Sequence, residues 1–163
     1  PGAIGKAFAE RAIDPKKVKI LSTGEPVDEN AIKSMGDLAL DRISAWHYDF
    51  NHKSKMNEDF VKAFNAEFKR NPNFHSVGGY DGMHLIYEAL KKTGGSTDGE
   101  KLLAAMKGMA WESPRGPISI DPETRDIIQN SYVRKVDKVD GELYNVEFAT
   151  IANVKDPVKA AKK

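Results

Sequence analysis

Apolar residues fall into helical stripes along the first two thirds of the chain and into strict alternation along the last third. Ile4, Phe8 and Ala12 recur at i, i+4 and i+8, which predicts a helix over residues 3–12, stopped by Asp14-Pro15. Residues 18–21 are short, apolar and β-branched, the pattern of a buried strand. A loop over residues 22–26 follows. Asp28 or Glu29 then opens a helix with Ile32, Met35, Leu38 and Ala39 on its apolar face. Residues 42–46 predict a second short strand. Asn57 is expected to cap the next helix, with Glu58 and Asp59 in its first turn and Phe60, Phe64 and Phe68 on one stripe. Asn71-Pro72-Asn73 ends it. Gly78-Gly79 is expected to precede a further helix over residues 80–92, carrying Tyr80, Met83, Tyr87 and Leu90 on one side and closed by Thr93-Gly94-Gly95. Asp98 opens a shorter helix to about residue 107.

Beyond that point the pattern changes period. Ser113-Pro114-Arg115-Gly116-Pro117 is turn chemistry, residues 118–120 alternate, and Asp121-Pro122-Glu123 turns again. Residues 127–139 are period-2, with Tyr132, Arg134 and Val136 on one face. Asp140-Gly141 is a two-residue hairpin signal, and residues 143–151 return as the partner strand. The alternation of helix and strand over the first 70 residues argues for a parallel α/β sheet, and the last 50 for antiparallel pairing. Two parallel strands alone make a poor sheet, so further strands are expected from upstream sequence or from another chain.

Composition narrows the function classes. Lys plus Arg is 25 against 24 for Asp plus Glu, so no charge excess points to nucleic acid or an anionic membrane. There is no cysteine, hence neither a disulfide framework nor a thiolate metal site. No apolar run approaches the roughly 20 residues that a membrane-spanning helix needs. The chain opens at Pro1 without Met or a leader and is read as a piece beginning inside a longer protein, so the compartment is not inferred from the missing leader.

Catalytic signatures are thin. The chain has no Gly-Lys-Ser/Thr phosphate loop, no Gly-x-Ser-x-Gly elbow and no His-Glu-x-x-His. His47 and His52 stand five apart, poor spacing for a metal, and are read as cleft or surface residues without one. Gly78-Gly79 is read as a tight turn in preference to an anion cradle. No catalytic residue, metal or cofactor is expected.

In open α/β sheets ligands bind beyond the carboxyl ends of the strands. Two segments, residues 22–27 and 46–52, lie there. Glu25 is the acid at the first strand's end and is suited to pairing with a ligand ammonium, the plainer reading being a solvated loop acid. Trp46, Tyr48 and Phe50 suit an amphipathic wall for a small solute, the plainer reading being packing at the sheet edge.

Three stretches together resemble type I periplasmic solute-binding proteins of the branched-chain amino acid (leucine/isoleucine/valine-binding) ABC transporter family. Phe74-His75-Ser76-Val77-Gly78-Gly79-Tyr80-Asp81-Gly82-Met83, with Ile86-Tyr87-Glu88-Ala89-Leu90, is similar to the helix after a hinge crossing. Arg115-Gly116-Pro117-Ile118-Ser119-Ile120-Asp121 resembles the family's Gly-Pro turn and strand, and residues 137–148 its terminal hairpin. The order matches from residue 3 onward, but only the later, C-terminal portion of such a protein.

The resemblance implies two α/β lobes with flavodoxin-like or Rossmann-like sheets joined by crossings, closing on a solute for delivery to a membrane ABC permease in the periplasm. It implies C-terminal-lobe elements over 1–72, helices crossing back to the N-terminal lobe over 73–112, and hinge-proximal strands, terminal hairpin and tail over 113–163. It also implies ligand contacts from Glu25, His47 and Tyr48 on one side and from Val77 and Tyr80 on the other. The expected solute is an amino acid or a related aromatic or other carboxylic acid. The expected partners are the permease and the missing N-terminal part of the same protein, with no nucleic acid. Two alternatives stand beside transport. One is a ligand-sensing domain of a receptor or regulator with the same fold. The other is an α/β enzyme with His47 or His75 as base, for which the sequence proposes no partner group.

Overall fold

The computed structural model describes residues 2–14 and 17–161. Pro15 of the expected helix stop and the basic end at Lys162 and Lys163 lie outside the described residues. The elements are α1 (Gly2–Glu10), β1 (Leu21–Thr23), α2 (Glu29–Met35), β2 (Ile43–Trp46), α3 (Lys55–Phe68), α4 (Phe74–Lys92), α5 (Gly99–Met106), β3 (Ala110–Ser113), β4 (Gly116–Ile120), β5 (Ile127–Val139), β6 (Glu142–Val154) and α6 (Pro157–Ala160). The mixed α/β class matches the expectation. Contacts divide the chain into unit 1, Pro1–His52 with Ser131–Ile151, and unit 2, Lys53–Asn130 with Ala152–Lys163.

In unit 1, β1 and β2 run parallel, Leu21 opposite Ile43 and Thr23 opposite Ala45. β2 then pairs antiparallel with β5, Ile43 opposite Lys135 and Trp46 opposite Tyr132. The core is Val27, Ile32, Met35, Ala39 and Val136, with Ala31 and Leu143 packed against it. Asp28 caps α2, its Oδ1 accepting from the Ala31 N–H at 2.8 Å. The predicted buried strand at 18–21 is corrected on two counts: β1 begins at Leu21, and Leu21 is 72% exposed. With β2 as its one strand neighbour among the described residues, β1 is an edge.

In unit 2, β3 and β4 form a hairpin, and β4 pairs antiparallel with the start of β5, Ile118 opposite Gln129. Ser54, not Asn57, caps α3: its Oγ accepts from the Asn57 N–H at 3.1 Å, and Asn57 is buried in the first turn. The reason is position, since Asn57 carries one of the N–H groups a cap must satisfy. The start of α4 is corrected too. Asn73 and Ser76 form a reciprocal capping box, so the helix opens at Phe74 and Gly78 and Gly79 lie inside it. Their N–H groups are past the first turn and are used by the helix, which removes the anion-cradle alternative. Asp98 caps α5 as expected. Asp140 (φ 52°) and Gly141 (φ 87°) take the left-handed conformations that a two-residue hairpin turn requires, joining β5 to β6.

Candidate functional site

β1 and β2 are parallel neighbours, so their carboxyl ends lie on the same side of unit 1 and carry two of the expected segments together. After Thr23 the chain closes into a 3-10 turn at Glu25–Val27. Gly24 makes that turn possible: a Cβ there would lie 2.2 Å from the Trp46 ring. The indole of Trp46 at the end of β2 thus packs directly on the backbone that precedes Glu25. His47 stacks in turn on Trp46, with ring centroids 5.0 Å apart and planes tilted by 38°. Glu25 is exposed and His47 half-buried. The unit therefore presents a carboxylate and an imidazole beside an aromatic floor, a surface that can accept hydrogen bonds and stack a flat solute. Tyr48 is placed differently, at 2% exposure inside the unit.

Beneath this surface lies a buried polar network. Arg134 donates from Nη1 to Asp49 Oδ2 at 3.0 Å and to the Tyr48 carbonyl at 3.1 Å, and from Nη2 to Ser44 Oγ at 3.1 Å. Asn145 Nδ2 donates to the same Asp49 oxygen at 2.9 Å and to the Val27 carbonyl at 2.8 Å. The Asn51 N–H donates to Asp49 Oδ1 at 3.0 Å. The network ties the turn after β2 to β5, β6 and the turn holding Glu25, which fixes the two strand-end segments relative to each other. Burial pushes the Asp49 carboxyl up, opposed by Arg134, the Asn51 N–H and Asn145. Burial likewise lowers Arg134, opposed by Asp49 and Glu147. His52 Nδ1 sits 3.0 Å from Glu147 Oε2, and its ring lies 4.5 Å from that of Tyr132.

Val77 and Tyr80 belong to unit 2, on α4. Val77 is fully buried, whereas Tyr80 is 41% exposed and packs its ring 5.1 Å from Phe60 of α3. Together with Ser54, Met56, Asp59 and Glu112 these two aromatics line an open depression of about 720 Å³. α4 is anchored by Asp81, which accepts from Arg115 Nε at 2.7 Å, Ser113 Oγ at 2.9 Å and Trp111 Nε1 at 3.3 Å. The five expected contact residues thus divide three to unit 1 and two to unit 2. Sequence reasoning missed Asp49, Asn145 and Asp81. Arg134 carried a usable signal, a charge on the buried face of an alternating strand, which demands an acid partner.

Among the described residues, no group of three or more His, Asp or Glu side chains is arranged to hold a metal ion. No helix among them is long and apolar enough to cross a membrane.

The sequence profile of the family described as periplasmic binding protein matches residues 2–142. A solute-binding protein of an ABC transporter from Rhodopseudomonas palustris BisB5, solved in complex with 3,4-dihydroxybenzoic acid, is 59% identical with a TM-score of 0.88, over 97% of this chain and 44% of that one. Another R. palustris ABC-transporter solute-binding protein, in complex with 4-hydroxybenzoate, is 38% identical with a TM-score of 0.90, again over 97% of this chain and 44% of its own. The Leu/Ile/Val-binding protein homolog 6 of Brucella abortus (strain 2308) is 40% identical over 156 residues, 93% of this chain and 40% of that protein. The chain therefore spans about two fifths of the length of these relatives.

Proposed function

The chain belongs to the periplasmic binding protein family, and from that premise we propose that it forms part of the solute-capturing component of an ABC importer, taking a hydroxylated aromatic carboxylic acid. In this reading the exposed end of unit 1 contributes to the solute site, and the rest of the protein supplies what this chain does not span. Closure on the solute adds contacts that the open state lacks, which is the signal a membrane permease reads. The protein works in the periplasm and carries out no chemistry on its cargo.

The observation that carries the solute class is the 59% identity, across nearly the whole chain, to a protein solved with 3,4-dihydroxybenzoic acid. The exposed end of unit 1 supports it. Trp46 and His47 offer stacked rings for a flat solute, and Glu25 beside them offers acceptors for phenolic hydroxyl groups. The same carboxylate also suits the ammonium of an amino acid, and the 40% identity to a Leu/Ile/Val-binding protein homolog keeps that second reading in view. The two separate cleanly. A thermal-shift panel on the protein that carries this chain tests 3,4-dihydroxybenzoate, 4-hydroxybenzoate, unsubstituted benzoate and leucine. Stabilisation grows as RT ln(1 + [L]/Kd). The hydroxybenzoates are expected to raise the melting temperature most, and Glu25→Gln to erase the advantage of hydroxylated over plain benzoate. A shift with leucine alone transfers the assignment to amino acids.

A further inference from the structure

The chain leaves unit 1 after His52, returns at Ser131 and leaves again after Ile151. Side chains close to these points meet inside unit 1. His52 Nδ1 stands 3.0 Å from Glu147 Oε2 and 3.2 Å from Glu147 Oε1, and the His52 ring lies 4.5 Å from that of Tyr132. The imidazole is 12% exposed and the carboxylate 22%. The His52 N–H donates to the Asp49 carbonyl at 3.0 Å, which fastens the pair to the Asp49–Arg134 network. Within that network Arg134 offers one positive charge to two carboxylates, Asp49 and Glu147. Burial raises the Asp49 carboxyl against the pull of Arg134, and the Glu147 charge raises it further. Burial lowers Arg134, and the Asp49 and Glu147 charges oppose that. A second carboxylate in so sheltered a place calls for a second positive charge. The imidazole against Glu147 supplies it when protonated, and imidazoles ordinarily take up a proton at about pH 6.5. The titratable and charged groups around the pair are Tyr132 and Arg134 of β5 and Asp49 of the turn that carries His52. Lys53, next along the chain, is exposed.

We propose that His52 and Glu147 form a proton-dependent latch at the places where the chain enters and leaves unit 1. With a proton on the imidazole, an ion pair holds the turn after β2 to β6 and so steadies the network behind Glu25. Without it, Glu147 and Asp49 share one guanidinium and the hold loosens. Solute binding at the exposed end of unit 1 is therefore tighter in acid, because the strand-end segments are already in place when the solute arrives. This last step rests on the proposed capture of a solute; the latch itself does not.

The test compares the parent with His52→Gln, Glu147→Gln and His52→Lys in the protein that carries this chain, at about pH 5.5 and about pH 7.5, either side of the ordinary imidazole value. Asp49 is common to every form, and the carboxylate of 3,4-dihydroxybenzoate is ionised at both pH values. In the ligand-free protein His52→Gln is expected to lower the melting temperature by several degrees at the lower pH and by much less at the higher. The sign follows from linkage, since an imidazolium paired with a carboxylate stabilises the fold in acid and that contribution is lost as pH rises. In titration calorimetry with 3,4-dihydroxybenzoate the parent is expected to bind about fivefold or more tightly at the lower pH, the low end of couplings between sites. His52→Gln and Glu147→Gln remove that difference. His52→Lys, whose charge stays, keeps the tighter affinity at both. If His52→Gln does not fold, Glu147→Gln carries the same comparison. Equal losses at both pH values mark a merely structural pair and overturn the proposal, as does a pH-dependent affinity that survives in both glutamine variants. Absence of heat with 3,4-dihydroxybenzoate at either pH overturns the solute assignment instead, and the melting comparison then decides the latch alone.

Discussion

Each unit is built around one buried aspartate–arginine pair, and the two pairs are used differently. In unit 2, Asp81 and Arg115 meet at 2.7 Å beside Ser113, Trp111 and Gln129, which come from the β3–β4 hairpin and the start of β5. In unit 1, Asp49 and Arg134 meet at 3.0 Å and recruit Ser44, Asn145 and two backbone carbonyls from segments far apart in sequence. There Arg134 Nε and Asn145 Oδ1 are buried without a partner. The first pair is a clamp that locks a helix to its hairpin. The second is a hub that gathers the turn after β2, the turn holding Glu25 and strands β5 and β6, and keeps hydrogen-bonding capacity in hand. Ion pairs of similar distance and burial thus serve rigidity in one place and the spacing of strand-end segments in the other.

Removing one partner is the strongest way to break this contrast. Asp81→Ala leaves the Arg115 guanidinium buried and takes the acceptor from Ser113 and Trp111, an expected loss of about 3–5 kcal/mol. Asp49→Ala is expected to act on unit 1 instead, with Arg134 keeping Ser44 Oγ and the Tyr48 carbonyl as acceptors as Arg115 keeps Gln129 Oε1. The chain's two tryptophans make the comparison local: Trp46 reports on unit 1 and Trp111 on unit 2. Urea unfolding followed by fluorescence in Trp46→Phe and Trp111→Phe backgrounds should show the larger shift at the Trp111 probe for Asp81→Ala. Equal shifts at both probes for both variants would erase the distinction between clamp and hub.

A smaller effect sharpens it through pH. Burial raises the Asp49 carboxyl, so the folded state holds that proton more tightly than the unfolded chain. Its contribution to stability is present below the ordinary carboxylate range and lost as pH rises through the folded pKa. Asp121 of unit 2 is held below its ordinary value by the Thr124 and Glu123 N–H groups and by Lys155. Its contribution is present above the ordinary range and lost as pH falls through the folded pKa. Comparing Asp49→Asn and Asp121→Asn with the parent across pH 3 to 7 (a range set by the ordinary carboxylate values of about 4) should give slopes of opposite sign. Slopes of one sign would show that both carboxylates are held in the same way.

Legibility in the sequence followed the range of the interactions. The β5–β6 hairpin was readable because strict alternation and the Asp140-Gly141 turn are local and mutually consistent. The caps of α2 and α5 were readable and that of α3 was within one turn, and the misassignment of Asn57 came from scoring residue type without asking which N–H groups need an acceptor. Gly78 and Gly79 misled because glycine weakens a helix by only about 0.5–1 kcal/mol, less than the capping box and the Asp81 anchor return. A Cβ at either would meet nothing within 4 Å, so packing does not demand them. Glu25 and His47 were singled out because strand ends are predictable places for ligands. The Asp49 hub was not, because its side-chain partners Arg134 and Asn145 lie 85 and 96 residues away and no spacing rule reaches that far.

Isothermal titration of the protein carrying this chain with 3,4-dihydroxybenzoate tests the proposed capture of a hydroxybenzoate. A saturable one-to-one heat is expected that weakens when Trp46 or Glu25 is replaced, with no chemical change in the recovered acid. No heat with any hydroxybenzoate, together with saturable binding of leucine or turnover of the acid, would contradict it.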